Sequence, residues 1–165
     1  KQLKPQVFDN ILYAVVQSGV GLDLGEQRNT GTFSESRLKE MVSVCHKFNL
    51  RSKEHNGDYL TPEGIKRRFD SGLDSLNIAP EFGQIETSCY LNAIENIEDW
   101  YKICLESKRW EKWVSPDFIP EENKKKLIKI CGHYVLSHPD FLNMKPDIDT
   151  IIEKTLTKKL KGLFE

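Results

Sequence analysis

An α/β fold built on a parallel sheet is the class this sequence predicts, and three observations predict it. Short runs with β-strand character alternate with segments whose apolar residues recur every three or four positions. The connections between them are mostly short, which suits right-handed βαβ units. Proline and glycine punctuate the alternation where each element has to stop.

The first strand is read over LYAVVQ, residues 12–17, closed by Ser18-Gly19. The polar stretch GLDLGEQRNTGTF follows, a loop long enough to suggest function or motion. From Ser34, the expected N-cap, Leu38, Met41, Val42, Cys45 and Phe48 trace an amphipathic helix. A second, more polar strand lies around Leu50–Glu54. Thr61-Pro62-Glu63 opens the next helix, with Ile65 and Phe69 on its face and Gly72 at its end. Leu73–Ala79 is the third strand, and Pro80 bars its continuation. From Ile85 the pattern is almost wholly helical. One stripe runs through Tyr90, Leu91, Ile94, Ile97, Trp100, Tyr101 and Cys104, a second through Leu127, Ile128, Ile130, Cys131 and Val135, and a third through Ile148, Ile151, Ile152, Leu156 and Leu160. Residues 1–96 are therefore read as a partial βα segment with three strands, and 97–165 as a helical extension packed on it.

Composition narrows the function. With 24 basic and 25 acidic side chains the net charge is −1, which lacks the basic surplus of an electrostatic nucleic-acid binder. Hydrophobic residues at 38% and charged residues at 30% fit a globular chain rather than a disordered one. No apolar run approaches the roughly 20 residues of a membrane helix. A soluble, cytoplasmic protein without membrane or nucleic-acid partners is expected. Cys45, Cys89, Cys104 and Cys131 show no CxxC spacing and fall in helical segments, so they are read as buried free thiols in a reducing compartment. In Lys108–Trp113, KRWEKW, packing of the two tryptophans is preferred to nucleic-acid contact. Three strands cannot close a barrel, and a complete eight-stranded one takes roughly 250 residues. Because the first residue is Lys1 rather than Met, the chain is expected to be the C-terminal part of a longer enzyme.

Ligand sites of parallel α/β sheets lie at the C-terminal ends of the strands. That rule selects Gln17-Ser18-Gly19, the stretch from Glu54 through His55, Asn56 and Asp58 to Tyr59, and the turn from Asn77 to Glu81. In the middle stretch an imidazole flanked by two carboxylates suits metal ligation or proton transfer. The competing reading is an Asn56-Gly57 turn with Asp58 capping the next helix.

These residues carry a resemblance. VVQSGVGL, EHNGDYLTPEGIK and LDSLNIAPEFGQIETSCYL are similar to successive blocks of the class II aldolase-like barrels. They most resemble the non-catalytic subunits of tagatose-bisphosphate aldolase and, more distantly, the tagaturonate epimerases. The likeness covers roughly residues 10 to 95 and implies the C-terminal part of a TIM (β/α)8-type barrel followed by a helical tail. It implies that His55 matches a divalent-metal ligand, zinc or manganese. Asp58 and Tyr59 match the Asp-Tyr of the tagatose subunits, and Asn77 a residue that contacts substrate. The pattern departs at Gln17, which stands where the catalytic aldolases carry another metal-binding His, and at Glu54, where the tagatose subunits have Gly. The turn from Asn77 to Glu81 lacks the Asp-Thr pair that helps to hold phosphate.

Two readings follow. In the first, the chain is a lyase or epimerase that acts on a ketose or ketose phosphate through an enediolate. His55 is then the metal ligand, Glu54 or Asp58 the general base, and Gln17, Asn56, Asn77 and Glu81 the substrate-binding groups. In the second, it is an assisting subunit that stabilises a catalytic aldolase, which the amide at Gln17 favours. Either way, an oligomer or an association with the missing barrel segment or an aldolase subunit is expected. A helical interaction module is the weaker third reading.

Overall fold

A computed structural model describes residues 9–164, and its first unit holds the parallel sheet. The strands are β1 (Tyr13–Val16), β2 (Leu22–Asp23), β3 (Arg28–Asn29), β4 (Arg51–Glu54) and β5 (Ser75–Leu76). The helices are α1 (Glu35–Lys47), α2 (Pro62–Asp70), α3 (Pro80–Ala93), α4 (Glu98–Ser107), α5 (Lys124–Cys131), α6 (Pro139–Met144) and α7 (Asp149–Lys161). The chain divides into two compact units: residues up to Leu22 with Arg28–Ile78, and Asp23–Gln27 with Ala79 onward. Residue 96, the boundary drawn from the sequence, lies inside the second unit.

In the first unit the sheet order is β1-β4-β5, every pair parallel, with Val16 opposite Glu54 and Glu54 opposite Leu76. One face packs on a core of Val16, Leu38, Val42, Cys45 and Leu73. Alternation puts Val15 on the other face, where it is 65% exposed. Ser34 caps α1 by accepting from the Arg37 N–H, and Leu38, Val42 and Cys45 form its buried stripe. Phe48, expected on that stripe, is the C-cap and lies exposed. Thr61 caps α2, accepting from the Gly64 N–H at 3.1 Å, so the capping role considered for Asp58 belongs to Thr61.

Two elements differ from the sequence reading. The third strand shrinks to Ser75–Leu76, because Leu73 N–H closes the α2 terminus on Arg68 O and Asp74 N–H bonds Ser52 Oγ. The loop after β1 contains the two-stranded β2–β3 ribbon, whose two-residue strands are too short to show periodicity. Gly19, ahead of the ribbon, lets the two ends of this loop approach: φ is +110°, and a Cβ there would meet Thr32 O at 1.8 Å.

The second unit is mostly helical, and its helix α3 starts at Pro80, five residues before the periodicity shows it, with proline in the first turn. Its core centres on Trp100, Phe141, Leu127, Ile128 and Ile130. Tyr90 meets Phe141 edge-on at 5.2 Å, and Trp100 lies 4.8 Å from Phe141. Gln84 is buried, and its amide donates to Leu24 O (3.0 Å) and Lys129 O (2.9 Å), which binds the Asp23–Gln27 turn into this unit. Trp110 packs 5.8 Å from Phe118 and Trp113 lies against the core, as the amphipathic reading of KRWEKW expects. Ile151 and Leu160 are exposed, so only Ile152 of the last stripe is fully buried. All four cysteines are free: Cys45, Cys104 and Cys131 are buried and Cys89 half-buried. Among the described residues no helix is long and apolar enough to cross a membrane.

Candidate functional site

Because β1, β4 and β5 run parallel, their C-terminal ends form one rim, which carries Gln17–Gly19, the 54–59 loop and Asn77. Backbone bonds weld the rim together. Asn77 N–H donates to Glu54 O (2.8 Å) and Gly57 N–H to Asn77 O (2.8 Å). The Val20 N–H donates to Gln17 Oε1 at 3.3 Å, so the exposed Gln17 folds back on its own turn. His55 and Asn56 are exposed, Asn77 is half-buried, and Asp58 is buried with its carbonyl accepting from Asn29. Asn56 (φ 59°) and Tyr59 (φ 58°) both adopt left-handed backbone in this one loop. Such conformations cost of order 1–3 kcal/mol each and persist where the surroundings over-determine them.

Two polar clusters hold the strand beneath. β4 reads RSKE and has no apolar side chain, so satisfied polar groups must replace hydrophobic packing. Ser52 donates to Asp74 through both N–H (2.8 Å) and Oγ (2.7 Å), and His46 Nε2 lies 2.8 Å from the same oxygen. Burial alone would push the Asp74 carboxyl up, but these partners together hold it at about 2. Glu54 is fully buried. Its Oε1 accepts from Ser18 N–H at 2.5 Å and its Oε2 from Arg68 Nε at 2.9 Å. Arg68 is buried too, donates to Gly64 O at 2.9 Å and stacks on Phe33 at 4.4 Å. The carboxylate put forward as a general base thus faces the helix layer, with both oxygens engaged inside the protein. Lys53 sits over the Tyr13 ring at 4.8 Å.

Glu81 belongs to the second unit, where it is buried and paired with Lys159 at 2.5 Å. His133, from the same unit, is half-buried with neither ring nitrogen hydrogen-bonded, and burial holds its pKa down to about 4. Among the described residues no group of three or more His, Cys, Asp or Glu side chains could hold a metal ion. A zinc site takes four donors in a tetrahedron, and a catalytic one still needs three from protein. His55 with the donors described around it does not fit that requirement.

Two residues that organise the rim escaped the sequence reading. Asn29 donates through Nδ2 to Asn56 O (2.9 Å) and Asp58 O (3.1 Å), while its Oδ1 accepts from Gly31 N–H at 3.2 Å. Nothing in R-N-T-G distinguishes it from any turn asparagine. Arg68 did leave a signal, since it lies three residues after Ile65 on the apolar face of α2, where a cation demands a buried partner.

These features define a class: an α/β fragment with a parallel sheet and a polar rim at the strand C-termini. Among solved structures, the chain resembles the crystal structure of a probable tagatose 6-phosphate kinase from Sinorhizobium meliloti 1021, a TIM-barrel-like chain. The TM-score is 0.56 and the identity 16%, over 95% of this chain and 42% of that one. The likeness is therefore one of fold, and the chain spans less than half of the solved protein's length. No protein-family model and no curated protein matches the sequence.

Proposed function

We propose that the chain is the barrel segment of a non-catalytic, assisting subunit of a tagatose-bisphosphate-type aldolase. One observation carries this reading: Glu54 is spent on Ser18 and Arg68, so the strand-end acid supports the rim's structure. Gln17, where a catalytic aldolase would present an imidazole, is an exposed amide bonded to its own turn. The sheet face opposite the core leaves Val15, 65% exposed, for further barrel strands to cover. The fold likeness to the sugar-phosphate protein, over 42% of its length, agrees with a segment of a larger barrel.

The test mixes the purified chain with a catalytic class II tagatose-bisphosphate aldolase subunit, alongside metal analysis and assays of the chain alone. Co-elution and a longer half-life of aldolase activity are expected, with no turnover by the chain itself. Ketose-bisphosphate cleavage by the chain alone, abolished in His55→Ala, would overturn the reading. A lyase or epimerase is the second reading, favoured by exposed His55 beside Asn56 at a strand end. There, Asp58 would move the proton while Gln17, Asn56 and Asn77 orient the sugar hydroxyls.

A further inference from the structure

Away from the strand rim, we propose a binding site for a small phosphate monoester on the helical unit, formed by Lys108, Arg109 and Lys112. The three cations, with Ser107, Glu111 and Tyr134, line a surface hollow of about 330 Å³. Glu111 is the single acid in that lining, and none of the three cations forms an ion pair among the described residues. Contrast Lys124, Lys126, Lys145 and Lys159 of the same unit, each paired with a carboxylate.

The backbone that presents them is fixed from beneath. Lys108 terminates α4 in the left-handed region (φ 55°), and its N–H bonds Leu105 O. Ser107 Oγ donates to Cys104 O and accepts from the Arg109 N–H. Trp110 Nε1 donates to Leu105 O, and Trp110 and Trp113 are anchored against the core. The tryptophans therefore point inward while the basic residues of the same six-residue stretch stand outward. Arg109 lies over the Tyr134 ring at 5.2 Å and Lys112 over Trp113 at 4.4 Å. Cations braced on rings lose less side-chain freedom when an anion arrives. A guanidinium offers a fork that matches two phosphate oxygens, and two ammonium groups supply point charges around it. The hollow admits one phosphate and a small organic moiety, which suits a monoester better than an extended polyanion. This site is independent of the strand-end rim and of the function proposed for it.

Phenyl phosphate and inorganic phosphate are the probes, titrated into the full chain by calorimetry and by amide NMR. One site per chain is expected, with a dissociation constant of about 1 mM or tighter. Shifts should be confined to residues 107–113 and 134. Arg109→Gln should weaken binding at least about tenfold, since it removes the charged fork that engages two phosphate oxygens. The triple variant Lys108→Gln, Arg109→Gln, Lys112→Gln should abolish it with an unchanged melting curve. If the triple variant does not fold, Arg109→Gln and the shift map decide. Absence of saturation, shifts elsewhere on the surface, or equal binding by Arg109→Gln would overturn the proposal. An acidic peptide or RNA that binds the same residues while phenyl phosphate does not would overturn it as well.

Discussion

Glu54→Gln separates a structural carboxylate from a catalytic one, and its effect can be worked from the geometry. Both members of the Glu54–Arg68 pair are buried, with side-chain exposures of 0% and 3%. The amide retains an oxygen for the Ser18 N–H but leaves the guanidinium without a counter-charge. Removing one partner of a buried pair costs about 3–5 kcal/mol, because the survivor cannot return to water. For a chain of this size that is a fall of roughly 6–20 °C in Tm, at about 2–4 °C per kcal/mol. Arg68→Met should cost a similar amount, since it strands the carboxylate while methionine keeps some contact with Phe33. The double variant, Glu54→Gln with Arg68→Met, removes both charges and should recover about 2–3 kcal/mol relative to the sum of the singles. Urea unfolding followed by circular dichroism, with hydrogen exchange at the β4 amides, reads all three proteins. The reasoning fails if Glu54→Gln melts with the parent chain and the single effects simply add. A Glu54→Gln protein of parental stability that had lost a sugar-cleaving activity would restore the general-base reading.

His133 and Gly19 give two further tests. His133 is held neutral by burial, with a pKa of about 4 against an ordinary 6.5. Its folded value is the lower one, so the stability it contributes is full above pH 6.5 and is lost as the pH falls towards 4. The full shift corresponds to about 3.4 kcal/mol, and solvent screening of the half-buried ring brings the expected loss to about 2–3 kcal/mol; His133→Phe should flatten the stability profile in that window, and an unchanged profile would count against the half-buried, unpaired ring. Gly19→Ala should cost at least about 2 kcal/mol, from positive φ together with a backbone clash. Wild-type stability in a denaturant melt would mean that the backbone of Gly19 and Thr32 is free to rearrange.

How much was legible in the sequence depends on whether the signal was local. Ser34 and Thr61 were readable as caps, and both cap by accepting from the third N–H onward. The stripe of Leu38, Val42 and Cys45 was readable because helical burial repeats every three or four residues. The polar strand read around Leu50–Glu54 is β4, Arg51–Glu54, although RSKE has no apolar pattern. Its fate rests on Ser52–Asp74 and Glu54–Arg68, pairs 22 and 14 residues apart. The two-residue strands of the β2–β3 ribbon are too short to carry a period, and Pro80-Glu81 at the start of α3 has no apolar repeat to read.

The site shows the same division. The sequence was enough to select the three strand-end stretches, since parallel strands present their C-termini together. It could also name the chemistry available there, an imidazole at His55, carboxylates at Glu54, Asp58 and Glu81, and amides at Gln17, Asn56 and Asn77. Which of them are free to act was decided by tertiary structure. Glu54 turns inward to Arg68, Glu81 pairs with Lys159 in the other unit, and His55 stays in solvent. Side-chain types and local periods are properties of neighbouring residues, so the sequence by itself determined the elements and the candidate groups. The commitment of a carboxylate to a particular cation depends on which distant residues folding brings within about 3 Å, where a charge-assisted hydrogen bond forms.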